Sequence, residues 1–323
     1  MTTVHDHDNQ GLDPEHGQRP DPGQDHNPYR DPDRGERLAP LVAVADSALL
    51  GARTIQLLRR LDAWTASLDT PVRPQVAEMA ALALASAAPE STAGELLTAA
   101  MSVVWAQVTD DGFDVNARTI DDVEDLIEGC RQAARGGAPR PGQPGEQMLS
   151  SLAAHLRSTD PEPELEQLWL RRLDRMLEGC RFEWTTAHAH AAGGAPTTLP
   201  EYLAHHHSVG FTTICAAWWT SGGQILLPHL DRLSDAADHF ETAIRLANDQ
   251  RTSHREQLEG SAINAALLGA DAAWIHHQIR AHLDAGHTLI TELAATLPQA
   301  RHLGRVANWL VGLYQITEPR LAS

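Results

Sequence analysis

Residues 41–68 read LVAVADSALLGARTIQLLRRLDAWTASL, with Leu, Val and Ala returning every three or four positions and no sustained strand-like alternation. That period of about 3.6 places the apolar side chains on one face of a helix. The same spacing runs from Leu38 to the C-terminus, so the expected fold class is all-α. Breakers divide the pattern at PVRP near residues 71–74, at GGAPRPGQPG from Gly136 to Gly145, between Asp160 and Pro163, and at GGAPTTLP from Gly193 to Pro200. Between them lie helices of about 12 to 30 residues, which predicts a single helical bundle around a central cavity. No repeat at solenoid periods is visible.

A chain of 323 residues is long enough for one large domain with its own core. Residues 1–36 are rich in Asp, His, Pro and Gly and nearly free of apolar side chains, so they read as a disordered acidic tail ahead of a domain over 37–323. A net charge of -18 without a clustered basic stripe argues against nucleic acid as a partner. No lysine occurs anywhere, which excludes a phosphate loop ending in Gly-Lys and any lysine Schiff base. The cysteines Cys130, Cys180 and Cys215 are widely spaced, so a disulfide framework or zinc knuckle is not expected and a reducing cytoplasm fits. No leader-like or membrane-spanning run is present, so a soluble cytoplasmic protein is expected.

Two polar motifs interrupt the apolar pattern. In VVWAQVTDDGFDVNAR, Asp110, Asp111 and Asp114 form a DDxxD sequence, and Asp110 and Asp114 share a face at i and i+4 on a regular helix. Converging carboxylates repel unless a cation lies between them, and oxygen-only ligands suit magnesium. Taken alone, the motif also reads as a solvated helix end. A second DDxxD, at Asp121, Asp122 and Asp125, follows Thr119 and reads as the first turn of a new helix, where acids complement the dipole.

The more specific segment is ETAIRLANDQRTSHREQLEGSAIN, in which Asn248, Thr252 and Glu256 lie at i, i+4 and i+8. Each step advances about 40° around a helix, so an amide, a hydroxyl and a carboxylate line one strip able to hold a cation. A solvated face is the ordinary alternative, but Asn and Thr are poor choices for a long helix otherwise built from Ala and Leu.

NDQRTSHRE resembles the NDxx(S/T)xxxE motif of microbial class I terpene synthases, and Gly260 and Asn264 in EGSAIN resemble its usual continuation. With TDDGFD upstream, the resemblance extends from about Leu41 to the C-terminus. It implies a class I terpenoid synthase fold acting on a prenyl diphosphate with three Mg2+ ions, Asp110 bridging two and Asn248, Thr252 and Glu256 holding the third. Arg255 corresponds to a basic residue that contacts diphosphate in the family. NWLVGLYQITEPRLAS resembles the segment ending in the family's Arg-Tyr pair, which makes Arg320 a further donor and Leu321 a departure. TLPEYLAHHHSVGF resembles the segment that supplies a diphosphate-sensing arginine, but His205 stands at that position here. Ser208 and Gly210 fall where the family helix breaks. The resemblance leaves room for a homodimer and for an upstream class II cyclase that supplies a pre-cyclised substrate.

Aromatic faces stabilise carbocations by about 0.5 to 2 kcal/mol each in a dry site. Phe211, Cys215, Trp218 and Trp219 follow the break, and Phe113, Trp105, Trp184, Trp309 and Tyr314 are further candidates for the wall. With only 4 Phe and 3 Tyr the wall is expected to be largely aliphatic, which favours a C20 substrate, geranylgeranyl or a bicyclic labdane-type diphosphate, over C15 farnesyl diphosphate. A chain-elongating prenyl synthase would carry a second aspartate-rich motif and basic residues for its second substrate. A helical scaffold would need neither polar strip.

Overall fold

The computed structural model describes residues 32–68, 72–258 and 263–316; the side chains of residues 32–43 and of Asp114 are outside that description. The chain divides into two compact units, Met1–Asp46 and Ser47–Ser323. The described part of the first is the N-terminal portion of helix α1 (Pro32–Ala66), so that of the expected tail only residues 1–31 lie outside the described residues.

The helices of the larger unit start and stop where the breakers require. Helix α2 (Pro74–Ala87), α5 (Pro144–Arg157), α6 (Pro163–Ala191) and α7 (Leu199–Ala204) each carry proline in the first turn, where its missing N–H costs nothing. Helix α3 (Leu97–Asp111) carries the first acidic motif at its C-terminal end. Helix α4 (Ile120–Ala134) begins with a capping box in which Thr119 accepts from the Asp122 amide and Asp122 accepts from the Thr119 amide. The second DDxxD is therefore a helix start, as its position after a threonine predicts. Helices α8 (Phe211–Trp219), α9 (Leu230–Leu258), α10 (Ala272–Ala294) and α11 (Pro298–Ile316) complete the order, and no strand occurs among the described residues.

Helix α9 runs unbroken for 29 residues and packs along α10 and α11, while α6 supports α4 and α8. Large side chains fill the interior: Trp105, Trp169, Tyr202, Phe240, Met148 and Ile127 are all fully buried. The approach of α10 to α9 depends on Gly286, where an added Cβ would meet Phe240 Cε1 at 2.6 Å. Glu90, after α2, pairs with Arg301, His302 and Arg305 of α11 at 3.0–3.4 Å. These pairs are partly exposed and contribute little individually. No described helix is long and apolar enough to cross a membrane.

Gly286→Ala should lower stability by about 1–3 kcal/mol, because the Phe240 ring can move aside only by disturbing a packed core. Urea unfolding reads this as a lower midpoint with an unchanged slope.

Candidate active site

The first motif does not lie on a uniform α-helix. Helix α3 passes into one π turn at Gly112–Asn116, closed by the Ala117 amide donating to the Gly112 carbonyl at 3.2 Å. A π turn adds a residue per turn and often marks a functional position. The i,i+4 register assumed from the sequence therefore does not carry from Asp110 to Asp114. Asp110 is half-buried and receives a hydrogen bond from Gln107 Nε2 at 3.3 Å. Asp111 is held at the surface by Arg73, with both carboxylate oxygens at 3.0–3.1 Å from Nη2.

The second motif keeps its register. Asn248, Thr252 and Glu256 all lie on uninterrupted α9, with Thr252 buried and the other two half-buried. Thr252 Oγ1 donates to the Asn248 carbonyl at 3.0 Å. Fully buried Asn264 draws the strip together: its Nδ2 donates to Glu256 Oε2 at 2.9 Å and the Asp249 carbonyl at 2.8 Å, and lies 3.4 Å from Thr252 Oγ1. Hydroxyl and carboxylate thus converge on one point. Arg255 Nη2 sits 3.6 Å from Glu256 Oε1. Gly260 and Arg320 lie outside the described residues.

Between the two motifs lies a charged network. Arg245, one turn before Asn248, pairs with Glu183 of α6 at 2.7 Å and with Asp249 at 3.0 Å. It also donates to Ser208 Oγ at 3.1 Å and to the Tyr202 hydroxyl. Tyr202 in turn donates to Asp249 Oδ2 at 2.6 Å, and Ser208 donates to Glu183 at 2.8 Å. Burial opposes the guanidinium charge, but Glu183, Tyr202 and Asp249 outweigh it and hold Arg245 protonated well above its usual range. Burial raises the carboxyls of Glu183 and Asp249 despite Arg245; Asp110 pushes Glu183 further and Glu256 does the same to Asp249. The charges of both motifs are therefore felt within one network.

The segment after α7 forms a single 3₁₀ turn, His206–Val209, and breaks at Gly210, whose φ of 71° lies in the left-handed region. Beyond it, Phe211, Cys215 and Trp218 share one face of α8 at i, i+4 and i+7, with Trp219 beside them, and all four are buried. Trp218 stacks on His302, ring centroids 5.2 Å apart. Phe113 and Trp105 are buried, the latter donating to the Gly145 carbonyl, while Trp184, Trp309 and Tyr314 are half-buried. His205 is exposed, stacks on Phe182 at 4.2 Å and faces the Glu201 carbonyl through Nδ1, apart from the Arg245 network.

Residues 102–269, which span both motifs, match the family described as terpene synthase family 2, C-terminal metal binding. The chain belongs to the terpene synthase family. It is 30% identical over 263 residues, 80% of this chain and 89% of the relative, to ent-pimara-9(11),15-diene synthase of Streptomyces sp. (strain KO-3988). The linalool/nerolidol synthase of Streptomyces clavuligerus, in complex with 2-fluorogeranyl diphosphate, shares the fold with a TM-score of 0.63 at 17% identity, over 82% of this chain and 95% of that one. The 2-methylisoborneol synthase of Streptomyces coelicolor A3(2) does so with a TM-score of 0.59 at 16% identity, over 81% and 88%. This terpene synthase has the all-α class I fold that its sequence predicts.

The family's metal-binding region implies a divalent ion, and the oxygen donors of Asn248, Thr252 and Glu256 on one strip of α9 are of the chemical kind such an ion takes. Sequence reasoning passed over Glu183, Tyr202, Arg245 and Asp249. Their available signal was the Arg245/Asp249 spacing of i,i+4 directly around Asn248, which aligns two opposite charges on one helix face. A second donor group, His206, His207 and Glu241, is buried beside the break.

Arg245→Met should destabilise this terpene synthase by about 3–5 kcal/mol in chemical denaturation, because it strands the buried Asp249 and the half-buried Glu183. Arg245→Lys should recover only part, since an ammonium cannot replace the planar fork. His206 gives a pH signature: burial, then the neighbouring His207, bring it down from 6.5 to about 4. A depressed folded pKa means its contribution is complete above about pH 6.5 and is lost as pH falls towards 4. Unfolding curves of His206→Gln across that window should show a shallower loss of stability than wild type.

Proposed function

We propose that this terpene synthase ionises a C20 prenyl diphosphate, either geranylgeranyl or a bicyclic labdane-type diphosphate, and cyclises the resulting cation. The reading is supported above all by the strip on α9, where Asn248, Thr252 and Glu256 lie along an unbroken helix inside the region that matches the family's metal-binding model. In it, Asp110, Asp111 and Asp114 would join Asn248, Thr252 and Glu256 as the ligands of three Mg2+ ions, Asp111 on leaving its pair with Arg73. When bound, these ions polarise the diphosphate oxygens and neutralise the charge that develops as the C–O bond breaks.

The remaining work falls to the chain. Arg255 and Arg320 donate to the departing diphosphate, which leaves with the bonding electron pair. Tyr202, Ser208 and Asp249 keep the guanidinium of Arg245 fixed while charge moves nearby. Phe211, Cys215, Trp218 and Trp219, with Phe113, Trp309 and Tyr314, exclude water and hold the allylic cation in a folded shape. The cascade ends when the cation loses a proton or captures one water.

A C20 substrate is supported by identity to a relative whose named product is a pimaradiene, a C20 skeleton, and by the scarcity of Phe and Tyr. Three buried free cysteines suit a reducing cytoplasm.

The test is diphosphate release with C10, C15 and C20 substrates, followed by product analysis. Wild type should form cyclic C20 products only with a divalent metal, and chelation should abolish release. Asp110→Ala and Asn248→Ala should each cut release by a factor of about 10²–10³, comparable to losing a preorganised charge-stabilising group, with folding retained by circular dichroism. Preference for a C15 substrate would replace the C20 reading. Elongated diphosphates, or turnover that survives chelation, would refute cyclisation by this site.

A further inference from the structure

We infer that Glu241 is a positioning residue that sets the product outcome, because its buried carboxylate spans the helix break and fixes the direction in which α8 leaves it. This rests on the reading that α8 walls the reaction site.

Glu241 lies two turns ahead of Asn248 on α9 and is completely buried. Its Oε2 is 2.8 Å from His207 Nδ1, on one side of Gly210, and its Oε1 accepts from the Thr212 amide at 3.1 Å, on the other. The Thr212 hydroxyl lies 3.2–3.3 Å from both oxygens. The first amides of a helix have no partner within it, so a carboxylate from α9 here caps α8 and complements its dipole. A second tie joins the same elements, because His206 Nε2 lies 3.0 Å from Thr242 Oγ1.

The opposite side of the break is closed by α6. An added Cβ at Gly179 would meet the Ser208 amide nitrogen at 2.6 Å, and one at Gly210 would meet Met176 Sδ at 2.8 Å. With α6 pressed against the break and Glu241 pulling from α9, the left-handed Gly210 has no room to choose another path. Phe211, Cys215 and Trp218 follow directly, so a small rotation at the break swings the aromatic wall. Misplacing a reacting group by about 1 Å can change a rate a hundredfold. Competing ring closures and proton losses should be at least as sensitive.

Glu241→Gln keeps the volume but removes the charge and one acceptor oxygen, so the amide oxygen can still accept from Thr212 while an NH2 replaces the acceptor facing His207 Nδ1 and weakens the tie across the break. Two measurements on the full chain test it. With a prenyl diphosphate that wild type turns over, the ratio of major to minor product should move by about tenfold or more, beyond any change in total diphosphate release. By hydrogen exchange, the amides of residues 208–213 should exchange at least about tenfold faster, with the remainder of α8 and α9 unchanged. A merely structural role would lower turnover and leave the product ratio where it was.

Thr212→Val removes only the hydroxyl contacts and should shift both readouts less in the same direction, which keeps the test available should the glutamine variant misfold. An unchanged product ratio with unchanged exchange in either folded variant overturns the inference. If wild type makes no product from any prenyl diphosphate, the proposed function and the product-setting role fail together. Exchange then decides only whether Glu241 holds the break.

Discussion

A guanidinium removed from water must be surrounded by charge and acceptors, and Arg245 is surrounded by Glu183, Asp249, Tyr202 and Ser208. These partners come from α6, α7, the break and α9, so satisfying one cation fixes four pieces of backbone. Removing a single partner would leave an uncompensated buried charge, which is far more costly than loss of a surface pair. The strip on α9 is tied to this constraint through Asp249, whose carbonyl accepts from Asn264. Glu183 connects the same constraint to the charge of Asp110.

The two motifs use helical geometry differently. On α9 an unbroken register carries Asn248, Thr252 and Glu256 along one strip, and Asn264 then fixes the oxygens with its amide. On α3 the helix widens into a π turn at Gly112–Asn116, so the acids are spread around the terminus. Asp111 turns to Arg73 at the surface while Asp110 faces inward. In the proposed reading, the regular strip and the widened helix end would supply one rigid and one adaptable set of donors.

The fold was legible because helical periodicity and proline breakers are local properties, and the helices begin at Pro74, Pro144 and Pro163 as the breakers require. The strip on α9 was legible for the same reason. The π turn was not, since Gly112 alone does not distinguish it from a helix stop. The network was not legible either: Glu183 in RFEW and Tyr202 in PEYL look like ordinary helix residues until α6, α7 and α9 are brought together. His205 shows the limit most clearly. Its triplet has three equivalent side chains in sequence, and only the 3₁₀ turn decides that His206 and His207 point inward while His205 stacks outside on Phe182.

Charge balance explains why such a site would need metal. The chain carries a net charge of -18 and no lysine, and its long-range field opposes an approaching diphosphate. Three arginines around the motifs already have partners: Arg73 holds Asp111, Arg245 holds Glu183 and Asp249, and Arg255 lies against Glu256. Their local sum with those carboxylates is not positive. In the proposed reading, attraction for the substrate therefore comes from divalent ions that acidic motifs can gather and arginines cannot replace. The same acids that would repel a free diphosphate then hold it once the cations lie between, so anion binding and metal binding become one event.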